Sequence, residues 1–156
     1  MKKFFFVALL LTVSAAAFSQ PYYKQAIGLK FPGGTSVTYK NFIAGTNAVE
    51  AQATFWNSGV RFSALYEFNF YTFENVEGLG WHVGPGAHVG LWNDSYATSK
   101  GLKTRLDLGI DGVIGIDYKF KDIPLNASID WQPSIIIAGS TGFSPAIGGI
   151  ALRYTF

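Results

Sequence analysis

The feature that most constrains this chain is a side-chain alternation of period two that recurs in eight segments separated by turn residues. Successive side chains of a strand point to opposite faces, so alternation sorts the residues onto two surfaces. The last segment is the clearest: Ile150, Leu152, Tyr154 and Phe156 share one face, and Gly149, Ala151, Arg153 and Thr155 the other. Before it, Leu125, Ala127, Ile129, Trp131, Pro133, Ile135 and Ile137 alternate with Asn126, Ser128, Asp130, Gln132, Ser134 and Ile136. Leu106, Leu108, Ile110, Ile114, Ile116, Tyr118 and Phe120 likewise alternate with Asp107, Gly109, Asp111, Val113, Gly115, Asp117 and Lys119.

The earlier segments repeat the pattern. Trp81, Val83, Pro85, Ala87, Val89 and Leu91 oppose His82, Gly84, Gly86, His88 and Gly90. Val60, Phe62, Ala64, Tyr66, Phe68 and Phe70 oppose Arg61, Ser63, Leu65, Glu67, Asn69 and Tyr71, and Val49, Ala51, Ala53 and Phe55 oppose Glu50, Gln52, Thr54 and Trp56. Two noisier strands, near residues 23–31 and 35–43, set Ile27, Leu29, Phe31, Val37 and Tyr39 against Lys24, Gly28, Lys30, Ser36, Thr38 and Lys40. Each segment is around the ~9–11 residues that a tilted membrane-spanning strand requires. Pro133 cannot donate to a ladder, so a bulge or strand end is expected there.

Alternation alone fits a water-soluble sandwich or lipocalin-like barrel as well, with the apolar face inward. Composition separates the cases. Aromatics make up 17% of the chain and charged residues only 14%, less charge than a soluble β-protein of this size usually carries. The polar face combines glycines with charges of both signs, which suits a narrow lumen. The expected fold class is therefore all-β: an eight-stranded antiparallel up-and-down transmembrane β-barrel with its apolar face toward lipid.

A leader precedes it. Lys2 and Lys3 are followed by an apolar run over residues 4–13 and by small residues ending in Ala17-Phe18-Ser19. This is the pattern of a secretory signal peptide, residues 1–19, cleaved before Gln20, rather than an uncleaved anchor, for which the run is short. The barrel domain is then 20–156. Without Lys2 and Lys3 it carries ten basic and ten acidic residues, so the basic surplus that nucleic-acid binding needs is missing. The chain has no cysteine, which excludes a lipoprotein anchor and disulfides. Turns at 44–47, 74–79 and 121–124 alternate along the chain with 32–34, 57–59, 93–105 and 138–145. With both termini periplasmic, the second, longer set is extracellular, the usual asymmetry of such barrels.

The carboxyl end, Ala151-Leu152-Arg153-Tyr154-Thr155-Phe156, resembles the C-terminal targeting signature of outer-membrane barrels. That resemblance implies a barrel-assembly signal at Tyr154 and Phe156, read by the assembly machinery. The whole stretch 20–156 is similar to the small outer-membrane barrels of the OmpA-transmembrane and OmpX kind, and residues 76–88 resemble a run in small barrels of this type. The resemblance implies integral residence in the outer membrane of a Gram-negative cell envelope with both termini periplasmic. It carries no activity, since such barrels include anchors, adhesins, pores and enzymes, and the peptidoglycan-binding domain of full OmpA proteins is missing from this chain.

Lys24, Lys30, Lys40, Arg61, Lys119 and Arg153 share the polar face with Glu50, Glu67, Asp107, Asp111, Asp117 and Asp130. Paired and hydrogen-bonded charges are tolerated in an interior where isolated ones are costly, so a structural charge network filling the lumen is expected. The sharper alternative, a water-filled channel, is disfavoured because eight strands enclose a space just wide enough for side chains. His82 and His88, six residues apart on one strand, would lie about 20 Å apart, too far to share a metal ion. Gly84, Gly86 and Gly90 lack the Lys-Ser/Thr of a phosphate loop and are read as making room for Trp56, Tyr71 or Arg61. No cofactor is expected.

An enzyme of the lipid A palmitoyltransferase kind would want His, Ser and Asp clustered in the extracellular loops. Asn93, Asp94, Ser95, Ser99 and Ser140 are there, without histidine. Lys100, Lys103 and Arg105 in the longest loop are candidate contacts for lipopolysaccharide phosphates. The expectation is a small non-enzymatic barrel with a structural or interaction role, its partners being outer-membrane lipid and lipopolysaccharide. The alternative is a minor, porin-like channel or carrier for small solutes.

Overall fold

The structure, a computed structural model, describes residues 21–73, 75–101, 104–145 and 148–156. The expected signal peptide, 1–19, lies outside the described residues. Among the described residues ten strands follow in chain order: β1 (Gln25–Pro32), β2 (Thr35–Ala44), β3 (Asn47–Trp56), β4 (Gly59–Phe70), β5 (Leu79–Trp92), β6 (Leu106–Lys119), β7 (Leu125–Trp131), β8 (Ser134–Ala138), β9 (Gly142–Ser144) and β10 (Gly148–Thr155), with one short helix, α1 (Asp94–Ser99), between β5 and β6.

From β1 to β7 the strands pair antiparallel in sequence order, β7 pairs with β10, and β10 pairs with β1 in the register Ala26↔Thr155 to Pro32↔Gly149, which closes the ring. Gln25 and Phe156 exchange backbone hydrogen bonds, each 2.9 Å, so the two chain ends are stitched together at one end of the barrel. The ten strands make eight staves. β7 and β8 lie end to end along β6, divided at Gln132 and Pro133, and β9 continues the line of β10 by pairing with β8. The break falls at the proline, which has no N–H for the ladder; its carbonyl still accepts from Gly112 N–H at 2.9 Å. The result is an all-β, eight-stranded, antiparallel closed barrel.

Two stretches read from sequence as loops hold regular structure. Within 93–105, α1 starts at Asn93, whose side chain accepts from Tyr96 N–H at 2.9 Å as an N-cap, the placement asparagine favours. Within 138–145, Gly142–Ser144 forms β9. Both lie at the end opposite the termini.

The polarity of the barrel is inverted relative to a soluble protein. Lys40, Glu50, Glu67, His82, Asn126 and Arg153 are among the largest fully buried side chains, while Ile129, Ile137, Ile150 and Phe143 are 58–64% exposed. At the termini end, rings in the outward register gather on β4, β5, β6 and β10: Phe70 stacks on Trp81 with centroids 4.3 Å apart, Tyr118 sits edge-on to Phe120 at 4.9 Å, and Tyr154 lies 6.2 Å from Phe156. The lumen is not wholly polar, since Leu65 and Val113 point into it and are buried.

The inward glycines make room in more than one way. A Cβ on Gly80 would press on the Tyr71 ring, and one on Gly90 would meet the Asp107 carboxylate and the Trp92 indole. At Gly84 it would strike the backbone carbonyl of Tyr66, and at Gly86 the Leu65 side chain. Gly84, Gly86 and Gly90 thus do not make room for Trp56, Tyr71 or Arg61 as expected: close approach of β4 and β5 and the Asp107 and Trp92 side chains take that space, and room for Tyr71 is made at Gly80 instead.

Candidate functional site

The residues on the inward faces form two groups of polar contacts. Nearer the termini, Lys40 on β2 lies 2.8 Å from Glu67 Oε2 and 3.4 Å from Asp117 Oδ2, and donates to Asn69 Oδ1 at 2.8 Å. Arg153 on β10 reaches both oxygens of Glu50 through Nη2 at 2.9 Å, donates through Nε to Thr38 Oγ1 at 2.9 Å, and through Nη1 to Ser128 Oγ at 2.7 Å. Asn126 ties the two ion pairs, donating to Asp117 Oδ1 at 2.7 Å and accepting from Arg153 at 3.3 Å. Every charge here has a partner, which is the condition under which burial of ions is tolerated. At the edge of this group, outside the strands, burial pushes the phenols of Tyr23 and Tyr71 above their ordinary pKa, with the Asp117 carboxylate adding to it.

The second group lies further from the termini. Lys30 pairs with Asp130. His88 Nδ1 lies 2.7 Å from Asp111 Oδ1, whose other oxygen accepts from Gln132 at 3.4 Å. Asp107 Oδ2 accepts from Trp92 Nε1 at 2.7 Å. Arg61 is the exception: it is buried, yet Nε and Nη1 have no hydrogen-bond partner, and no carboxylate lies within 4.0 Å of it among the described residues.

Two bases read as lumen residues lie elsewhere. Lys24 precedes β1 and is exposed, because the strand begins at Gln25, two residues later than its alternation suggested. Lys119 ends β6 half-buried and donates to the carbonyls of Phe120 at 2.5 Å and Ile123 at 2.8 Å, closing the turn rather than joining the network. Beside that turn, Lys121 donates to Glu77 at 2.8 Å, a bond that holds its ammonium above the usual lysine pKa.

His82 and His88 both face the lumen and are buried; among the described residues no three His, Asp or Glu side chains converge as a metal site would need. In the longest connection, Arg105 is exposed and pairs with Asp94 at 2.9 Å, and Lys100 is exposed at the C-cap of α1. Lys103 lies outside the described residues. Tyr154 and Phe156 are exposed on the outer face of β10 and just past its end.

At the mouth opposite the termini, Trp56, Arg61, Trp92, Tyr96 and Asp107, with Ser140 and Ser144, line a cavity of about 290 Å³. The rings of Trp56 and Trp92 are 5.6 Å apart and those of Trp92 and Tyr96 4.8 Å. Sequence reasoning missed this cavity. Its trace is that Trp56 and Trp92 fall in phase with the polar residues of their strands, which points their indoles inward at the rim.

Comparisons with protein-family models, curated proteins and solved structures found no match for this chain.

Proposed function

We propose that this chain is a small integral barrel of a Gram-negative outer membrane, of the OmpA-transmembrane and OmpX kind, with both termini periplasmic and a structural or interaction role without catalysis. The observation that carries the reading is the inverted polarity. A closed ring leaves no unpaired edge, and its exterior of exposed Ile, Leu, Val and Phe would be a large liability in water. In lipid it is the favourable arrangement, since all backbone groups are satisfied between strands. The outward aromatic rows near the termini fit an interfacial girdle. On this reading the barrel-assembly machinery takes up the Tyr154–Phe156 end, and outer-membrane lipid surrounds the finished barrel.

The lumen supports a filled interior rather than a pore. The Arg153–Glu50 and Lys40–Glu67 pairs lie across its lower half, and Leu65 and Val113 are buried in it. In planar bilayers the protein is expected to be silent; steady single-channel steps would replace this reading with that of a minor channel or carrier. The membrane setting itself is tested by fractionation. The mature chain should float with outer membranes and migrate faster on gels when unheated, whereas release as a soluble protein on osmotic shock would overturn it.

A further inference from the structure

The mouth cavity has chemistry that the lumen network does not use. Arg61 is 4% exposed and lies over the Trp56 ring, 5.8 Å from its centroid, but among the described residues no group accepts from its Nε or Nη1. Beside it Asp107 has one oxygen taken by Trp92 and the other, Oδ1, without a donor among the described residues. Elsewhere in this barrel buried ions are paired, as Lys40, Glu50 and Arg153 are. A buried cation and a half-satisfied carboxylate facing one small cavity are a costly arrangement in a folded chain unless a ligand completes it.

The geometry points to a binding site for a small zwitterionic carboxylate, an amino acid or similar molecule, at the mouth opposite the termini. Its carboxylate would take the guanidinium of Arg61, its ammonium the open oxygen of Asp107, and its apolar body would lie against Trp56, Trp92 and Tyr96. A doubly charged phosphate fits worse, because Asp107 would repel it. A purely cationic ligand would leave Arg61 without a counter-ion. The volume, about 290 Å³, is at the small end of ligand pockets and suits one such molecule, not an oligomer. Position adds to the case: Tyr96 belongs to α1 and Ser140 to the β8–β9 connection, so the two longest excursions of this end converge on the cavity. The site lies inside the barrel rim and does not depend on what surrounds the exterior.

The test is calorimetric titration of the purified mature barrel in detergent micelles with three probes: L-phenylalanine, phenylacetate and phenethylamine. The second lacks the ammonium and the third lacks the carboxylate. L-Phenylalanine should bind saturably and at least about tenfold more tightly than either, since each of the other two forgoes one charge-assisted hydrogen bond. Arg61→Gln should erase the preference over phenethylamine, and Asp107→Asn the preference over phenylacetate. Tyr96→Ala, on a helix outside the barrel strands, should weaken phenylalanine binding by about tenfold even if the lumen variants do not fold. Absence of saturable heat with the parent, equal affinity for all three probes, or an Arg61→Gln barrel that binds like the parent would overturn the proposal. None of these results would alter where the barrel fractionates.

Discussion

Arg153 on β10 and Glu50 on β3 meet inside the barrel, one guanidinium nitrogen lying 2.9 Å from both carboxylate oxygens across 103 positions of sequence. Thr38, Ser128 and Asn126 complete the shell of the arginine, so neither ion has access to water as a substitute partner.

Arg153→Ala should therefore cost about 3–5 kcal/mol, the loss expected when one member of a buried pair is removed and the other left uncompensated. Lys100→Ala, at an exposed helix end, should change stability by no more than about 0.5 kcal/mol. Urea unfolding of both variants checks the contrast. A cycle with Glu50→Gln should return a coupling energy of the order of 1–3 kcal/mol. Equal effects of the Arg153 and Lys100 changes would mean that the lumen is wet, and would favour the channel.

Gly84 and Gly112 should respond differently to alanine. A Cβ on Gly84 runs into the Tyr66 carbonyl and lies 3.1 Å from Glu67 Cα, whereas one on Gly112 has no neighbour closer than Pro133 Cγ at 3.8 Å. Gly84→Ala must push β4 from β5 and should destabilise the barrel by about 1–3 kcal/mol; Gly112→Ala should stay within about 0.5 kcal/mol. Refolding yield and urea midpoints of the two variants measure it.

Asn93→Ala removes the cap of α1 and the bond from its amide to the Asn57 carbonyl at 3.1 Å. Loss of an asparagine cap costs about 1 kcal/mol, and here the cost should stay local to the helix. Amide exchange at Tyr96 and Ala97 should quicken while the barrel's urea midpoint is unchanged. A shifted midpoint would mean that α1 braces the barrel.

Lys100, Lys103 and Arg105 are proposed to hold lipopolysaccharide phosphate at the rim through charge-assisted hydrogen bonds. Arg105 already shares its charge with Asp94 at 2.9 Å, both exposed, a pairing of small worth in water that a phosphate could displace. Replacing all three bases by Gln should lower the lipopolysaccharide that co-purifies, with the parent's load falling as salt rises. An unchanged load, insensitive to salt, would leave the loop as plain surface.

The strand count, the two faces of each stave and the break at Pro133 were legible in the residues themselves. They follow from local rules: a strand alternates, and proline cannot donate. The ends of elements were less legible. Lys24 kept the alternation by residue type but falls just before β1, because a strand's limits depend on where its neighbour stops, and Lys119, the last residue of β6, turns its ammonium to the carbonyls of the following turn. The helix after Asn93 had only a cap to announce it, and six residues are too few for a periodic face.

Which charge meets which was decided by the tertiary structure alone. Lys40 and Glu50 sit directly opposite each other in the β2–β3 register, and on that basis they would pair. Instead Lys40 reaches Glu67 and Asp117 while Glu50 takes Arg153. In a closed barrel the inward side chains converge on a narrow axis, so a long Lys or Arg reaches staves that its register never touches. Sequence determined the sign and the side of each charge, because both are properties of one residue and its strand. The partners, and the unpaired Arg61 at the mouth, came from closure of the ring, which brings together residues that no local rule relates.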